Sequence, residues 1–311
     1  MAQAITIEQN TTKQLERLAA QRQLYARAKN IQGWQMILSV PAVIAWSLAV
    51  VTIPFLKVWA ALWGAVLTIL DILWLNPWQR SLKRKAAKVQ EQFDCDVLQM
   101  DWDDFKVGRK PDAELILNAA DQLPQKEAEL QKLRDWYPSA VESLPIHLGR
   151  IVCQRANCWW DADLRRRYAN WRLIALGLMC TIVVILSLVG GFTLEKFILA
   201  ALVPLMPAII LGLRQSREHR EAAERADRLK AASEDLWQLA LSSNATDEQL
   251  SQRSRQLQDA IYEHRSNSPL IFDWIYNRLR RSYEELMNKA AVILVQEAVQ
   301  AKGRPNKTQP H

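Results

Sequence analysis

The chain has 311 residues, 50% of them hydrophobic and 23% charged, with a net charge of +7 and a mean hydropathy of −0.15. That average hides a segregation: four apolar runs stand in charged sequence, which excludes an ordinary soluble domain. Four cysteines, one of them (Cys180) inside an apolar run, exclude a secreted disulfide framework.

Residues 1–33 read as a cytosolic N-terminal region, polar and mixed in charge, without the cleavage pattern of a secretory signal. Residues 1–10 carry no periodic pattern. Thr11-Thr12-Lys13-Gln14 has capping-box spacing and predicts a helix over about 12–30. Trp34–Ile53 and Val58–Leu75 then form the first apolar pair, with Lys57 in the turn between them. Such lengths suit membrane-crossing helices, so residues 34–75 are expected to be a transmembrane hairpin. Pro41 predicts a kink that neighbouring helices absorb. Asp71 is a carboxylate near the end of the second run. It is expected either to pair with the basic residues beyond it or to serve a pore or gate.

A middle region, residues 76–171, follows and is expected to be cytosolic. Trp78–Phe93 is basic and amphipathic and predicts a helix leaving along the membrane surface. Asp94, Asp96, Asp101, Asp103 and Asp104 form an acidic cluster whose spacing matches no calcium loop. Val97 to Phe105 alternates enough to suggest a short strand. Helices are expected over Asp112–Ala120 and Gln122–Trp136. Cys153 and Cys158 are five apart without the ligand set of a zinc site, and read as reduced thiols. Arg150, Arg155, Asn157, Trp160, Arg165 and Arg166 crowd one stretch. Arginine forks grip phosphate and tryptophan offers a base a stacking face, so this is a candidate ligand site. An interfacial collar is the competing reading of the same residues.

Leu173–Val189 and Phe197–Leu213 are each 17 residues without a charge. At 1.5 Å per residue each covers about 26 Å, close to the hydrocarbon thickness, so residues 172–213 read as a second hairpin. Pro204 and Pro207, three apart, predict a bend that is either static or a hinge. Cations cluster at the outer ends of both hairpins and are sparse in their turns, which puts both termini and the middle region in the cytoplasm. This bias accounts for most of the basic charge. It implies contact with anionic lipid and gives no reason to expect DNA binding. Residues 214–301 form a helical cytosolic region. Ala222, Ala226, Leu229, Ser233, Leu236 and Ala240 make a seam for neighbouring helices. Thr246-x-x-Gln249 caps a helix, and Ser268-Pro269 is expected to begin another. Residues 302–311 are polar, as in a disordered tail. The fold class is mainly α, an integral membrane protein with two helical hairpins. There is no Gly-rich phosphate loop, HExxH or Ser-His-Asp set, so no catalytic residue, metal or cofactor is assigned.

NTTKQLERLAAQRQLYARAKNIQ, NCWWDADLRRRYANWR and HRSNSPLIFDWIYNRLRRSYEELMNKAA, with the two-plus-two layout, resemble the four-transmembrane pore-forming effectors of bacterial cyclic-oligonucleotide (SMODS/CBASS-type) antiphage signalling. The resemblance implies an effector at the bacterial inner membrane, answering a cyclic oligonucleotide made by a cognate nucleotidyltransferase. Sensing would be direct or through a partner. Its activation would permeabilise the membrane in abortive infection. It also points to Arg150–Arg167 together with Arg265–Trp274 as the sensing region. Spans this apolar cannot line a wide channel within one protomer, so the pore would be a homo-oligomer. The alternative is a membrane-anchored scaffold that recruits a cytosolic partner and forms no pore.

Overall fold

The computed structural model describes residues 2–39, 41–42, 45–46, 49, 53–123, 127–242 and 245–303. Much of the first apolar run, the Ser243-Asn244 break and most of the polar tail lie outside these residues. The described residues are mainly helical and contain no strand. In chain order the helices are α1 (Gln3–Glu8), α2 (Thr12–Ser39), α3 (Lys57–Leu70), α4 (Asn76–Val97), α5 (Ala113–Ala120) and α6 (Glu127–Gln131). Then come α7 (Ile146–Val189), α8 (Leu194–Phe197), α9 (Val203–Leu241), α10 (Asp247–Asn267) and α11 (Asp273–Gly303).

Two π-turns, Asp71–Leu75 and Ile198–Leu202, join α3 to α4 and α8 to α9 without ending the helix. Each lies just before a proline, Pro77 and Pro204. A proline lacks the N–H that would pair with the preceding turn, so the local ladder widens and the helix continues. The backbone stays helical through Pro204 and Pro207. Helix continuity is the main architectural fact. α7 alone has 44 residues, about 66 Å at 1.5 Å per residue.

Among the described residues, two helices are long and apolar enough to cross a membrane, Val58–Val97 and Ile146–Val189. Their most apolar windows are 0% and 6% buried within the chain. Ile182, Ile185 and Leu188 on α7, and Leu62, Ile69 and Leu73 after Lys57, face outward. Uncovered apolar surface of this extent is stable against lipid, not water.

The helices run as antiparallel pairs whose cross-links keep register over many turns. Along α2 and α4, Gln21 Nε2 donates to Gln90 Oε1 at 3.2 Å and Arg17 reaches Asp96 at 2.6 Å. Farther along, Gln35 Nε2 donates to Asp71 at 2.5 Å. Along α7 and α9, a Cβ at Gly212 would touch Leu176 at 3.2 Å, Ser216 Oγ donates to the Ala169 carbonyl at 3.2 Å, and Arg155 meets Glu234 at 2.8 Å. The far ends of both pairs merge into one core, with Leu24, Phe93, Ile151, Trp237 and Ile261 buried together.

Several expectations are corrected. Residues 1–10 include α1, whose Ala2 and Ile5 are fully buried because Gly149 leaves them room. The box at Thr11 does not form: Thr11 Oγ1 donates to the Glu8 carbonyl and Gln14 turns to Glu8 and Asp96. The one at Thr246 and Gln249 does form, with both bonds at 3.2 Å. Val97–Phe105 is no strand: α4 ends at Val97, Gln99 turns at φ 53°, and no second strand is present among the described residues to pair with. In the segment expected as a helix over Gln122–Trp136, residues 124–126 lie outside the described residues; of the described ones only Glu127–Gln131 are helical, and Asp135, at φ 52°, turns the chain before Trp136. α4 does not simply skirt a surface. Leu82, Ala86, Val89, Phe93 and Val97 are buried in the shared core. The helix after Ser268-Pro269 begins only at Asp273, leaving residues 268–272 as a non-helical connector.

Candidate functional site

A cavity of about 250 Å³ opens where α2, α7, α9, α10 and α11 converge on this connector. α7 contributes Asn157, Trp160, Asp161 and Arg165; α10 contributes His264 and Arg265; the connector contributes Ser268 to Ile271. Tyr25 and Lys29 of α2, Trp136, and Tyr276 and Arg280 of α11 complete a wall that mixes cations with aromatic rings.

Of the six residues singled out by sequence, three meet here: Asn157, Trp160 and Arg165. Each α7 residue in this stretch advances about 100° around the axis, so neighbours in sequence point to different partners. Arg150 is drawn into the core, where Nε donates to the Leu98 carbonyl at 2.5 Å and Nη1 to Ser251 Oγ at 3.1 Å. Arg155 and Arg166 face α9 and pair with Glu234 and Asp227. Asp71, Pro204 and Pro207 lie far along the chain from the cavity, at the two π-turns. Asp71 accepts from the amides of Gln35 and Asn76, the latter at 3.2 Å, so its ligands are neutral where a cation was expected.

The cavity's electrostatics rest on two buried acid–base groups. Asp161 Oδ2 takes Arg165 Nε at 2.6 Å and His264 Nε2 at 2.6 Å. Burial would raise the Asp161 carboxyl, but Arg165 and His264 outweigh it and hold it well below the usual carboxylate range. Asp94, fully buried, accepts from Tyr137 Oη at 2.6 Å, Gln258 Nε2 at 2.9 Å and Arg265 Nη1 at 2.5 Å. Arg265 Nη2 is buried without a hydrogen-bond partner. An unmet buried donor costs about 1–3 kcal/mol, more when charged, and an anion entering the cavity would relieve that cost. Tyr25 is pushed up to about 12 by burial, against the opposing pull of Arg265 and Arg165, so it is a neutral donor at this wall.

Tyr25, Arg265, Tyr276 and Arg280 escaped the sequence reading as individual ligand residues. Their signal was present in the segments around them: Arg265 and Tyr276 stand in HRSNSPLIFDWIYNR and Tyr25 in QRQLYARAK, stretches rich in Arg and Tyr without an apolar period to explain them. The cysteines read as reduced thiols are buried and unpaired, and burial pushes Cys158 up to about 12.

The comparisons with known proteins fit this picture. The family model for the SMODS-associating 4TM effector domain matches residues 3–294. A protein of Bacillus cereus (strain VD146), described as a probable CBASS effector molecule, is 23% identical over 94% of this chain and 98% of its own length. No solved structure matches the chain. With the match running from α1 almost to the end of α11, the chain belongs to the SMODS-associating 4TM effector domain family.

Proposed function

We propose that this protein is a four-span membrane effector that receives a cyclic oligonucleotide in the α2/α7/α10/α11 cavity and opens an oligomeric pore in the bacterial inner membrane. Residues 34–75 and 172–213 are the two membrane hairpins. Residues 1–33, 76–171 and 214–301 are cytosolic. The observation that carries the reading is helix continuity. α7 places Trp160 and Arg165 in the cavity wall and runs on without a break to Val189, through the apolar, outward-facing segment. A ligand that moves α7 at Arg165 therefore moves a membrane helix.

The wall suits the ligand class. Guanidinium forks bind phosphodiesters bidentately, and Trp160 and Tyr276, centroids 6.0 Å apart, offer flat faces to a base. The spans are too apolar to line an aqueous path within one protomer, so the pore lies between subunits and its outer face meets lipid. Cytosolic exposure of Lys83, Arg84, Lys85 and Arg214 follows from the positive-inside rule. The reading assigns no chemical step, cofactor, metal or DNA contact. Cells expressing the protein with its cognate nucleotide synthase should lose inner-membrane potential and admit an excluded dye before growth stops. Arrest with membrane potential and dye exclusion both normal would overturn the pore.

A further inference from the structure

The non-helical connector between α10 and α11, residues 268–272, touches α2, α4 and α7 and reaches α9 through the Tyr168 ring. Lys83 on α4 donates to the Ser268 carbonyl at 3.1 Å. Arg165 on α7 donates to the Pro269 carbonyl at 2.7 Å. Phe272 lies 3.9 Å from the position of a Cβ at Gly33 on α2, and the next residue, Asp273, pairs with Lys29. Ile271 and Phe272 pack with Tyr168 of α7, whose ring meets His219 of α9 edge-on at 4.6 Å. One side of this short segment thus lines the cavity, while the rest is fastened to the stub of each membrane-directed helix.

Its shape has a local cause. A residue before proline is driven to extended backbone, and Ser268 has φ −67° and ψ 146°; Pro269 supplies no N–H to continue α10. Its backbone carbonyls, freed from helical bonding, are taken by cations from two other helices. The cavity, at about 250 Å³, is below the roughly 300–1,000 Å³ usual for small-molecule sites. A cyclic oligonucleotide therefore needs a wall to give. The walls are helical except at Lys132–Trp136 and at this connector.

We propose that the connector Ser268–Phe272 is the coupling element of the effector, in which a ligand phosphate takes Arg165 from the Pro269 carbonyl and the released connector changes its grip on the stubs of α2, α4, α7 and α9. This rests on the reading of the cavity as a nucleotide site. Before ligand, Arg165 divides its fork between Asp161 and Pro269, so a phosphate competes with a carbonyl for one arm and leaves the other bonded to Asp161. Lys83, outside the cavity lining, keeps the connector tied to α4 and sets the threshold for release.

The test uses full-length protein in liposomes and a panel of cyclic dinucleotides and cyclic triadenylate. Gly33→Cys and Phe272→Cys are combined in a Cys180→Ser background and bridged by a short, reducible bifunctional thiol reagent. The bridged protein should bind the active nucleotide within about 3-fold of the unbridged one, release no dye, and recover release on reduction. Lys83→Met should bind equally well and release dye at several-fold lower nucleotide. Dye release unaffected by the bridge, together with a wild-type threshold for Lys83→Met, overturns the coupling role. So does loss of binding on bridging, which would make the connector a binding wall alone. Wild-type protein that releases dye with its synthase in cells yet binds none of the panel would instead overturn direct sensing at the cavity, and the coupling with it.

Discussion

Arg265→Met tests whether the helical core around Asp94 depends on a buried charge pair. Asp94 is wholly buried and its three ligands are Tyr137, Gln258 and Arg265, while the Arg265 side chain is 12% exposed. Removing the guanidinium leaves a carboxylate with two neutral donors in the protein interior. Breaking one side of a buried pair costs about 3–5 kcal/mol, since the stranded charge keeps its desolvation penalty. For a chain of this size that lowers the unfolding midpoint by roughly 10 °C. Cys95, Cys153 and Cys158 are buried in the same bundle, so their reaction with a thiol reagent during a temperature ramp in detergent reports its opening, with Cys180 replaced by Ser. Asp94→Asn combined with Arg265→Met removes both charges and keeps an acceptor for Tyr137 and Gln258. It should recover more than half of the loss. A single variant within about 1 kcal/mol of wild type, or a double variant no better than the single, refutes the argument that the unpaired carboxylate is the cause.

Four further outcomes follow. Arg165→Ala should lose nucleotide binding at least 10-fold, whereas Arg155→Ala and Arg166→Ala, which remove half-exposed pairs with Glu234 and Asp227, should bind normally and cost under about 1 kcal/mol in thermal unfolding. His219 is lowered to about 3 by burial and by Arg165 and Arg172. Its folded value is below its unfolded one, so its contribution is full above about pH 6.5 and is lost as pH falls toward 3, at up to about 1.4 kcal/mol per unit; His219→Phe should flatten the midpoint-versus-pH curve in that window. Gly149→Val should displace α1, because even a Cβ at 149 would meet Ala2 at 2.7 Å, and limited proteolysis should then cut within residues 2–10 at about 1–3 kcal/mol lower stability. Cysteines placed at Arg17 and Asp96, which pair across α2 and α4 away from the cavity lining, should leave nucleotide-triggered dye release intact when bridged, while cysteines bridged at Ala169 and Ser216 across α7 and α9 should abolish it until reduced.

The helical class and the long apolar stretches within Val58–Val97 and Ile146–Val189 were legible because their signal is local, an uncharged run of sufficient length. The seam through Ala222, Ala226, Ser233 and Leu236 was legible for the same reason, and all four are buried. What failed was whatever depends on a distant partner. Residues 1–10 have no period of their own and are helical because Leu144 and Gly149, over a hundred residues away, receive Ala2 and Ile5. Asp94, seen in the sequence only as part of an acidic cluster, and Glu91 are fully buried, since Arg265 and Arg255 arrive from α10 to meet them. Of the arginines that the sequence groups on α7, only Arg165 lines the cavity, and the sequence did not say which one would. That choice turns on about 100° per residue and on where α9 lies, and neither is set by composition.

The two helix pairs are cross-linked by different chemistry, and this decides which can slide. Between α2 and α4 the ties are buried or half-buried and specific: Arg17 to Asp96, Gln21 to Gln90, Gln35 to Asp71. A one-turn shift would strand each of these groups without a partner, at about 1–3 kcal/mol apiece. Between α7 and α9 small residues, Ala169 facing Gly212 and Ser216, stand beside larger contacts, Leu176 against Gly212 and the Tyr168 ring against His219, with one buried side-chain-to-backbone bond from Ser216 to Ala169 and the Arg166–Asp227 ion pair half-exposed at the rim. Small side chains interdigitate shallowly, and rim ion pairs contribute little and re-form with neighbours such as Glu221 or Arg220. Helices in contact move between discrete packings by steps of about one turn, about 5.4 Å, where the interface has no polar lock. The pair of α7 and α9 is therefore held in register less firmly than the pair of α2 and α4, which is tied at Asp96 and again near Asp71, and α7 is the helix that carries Arg165 into the cavity wall.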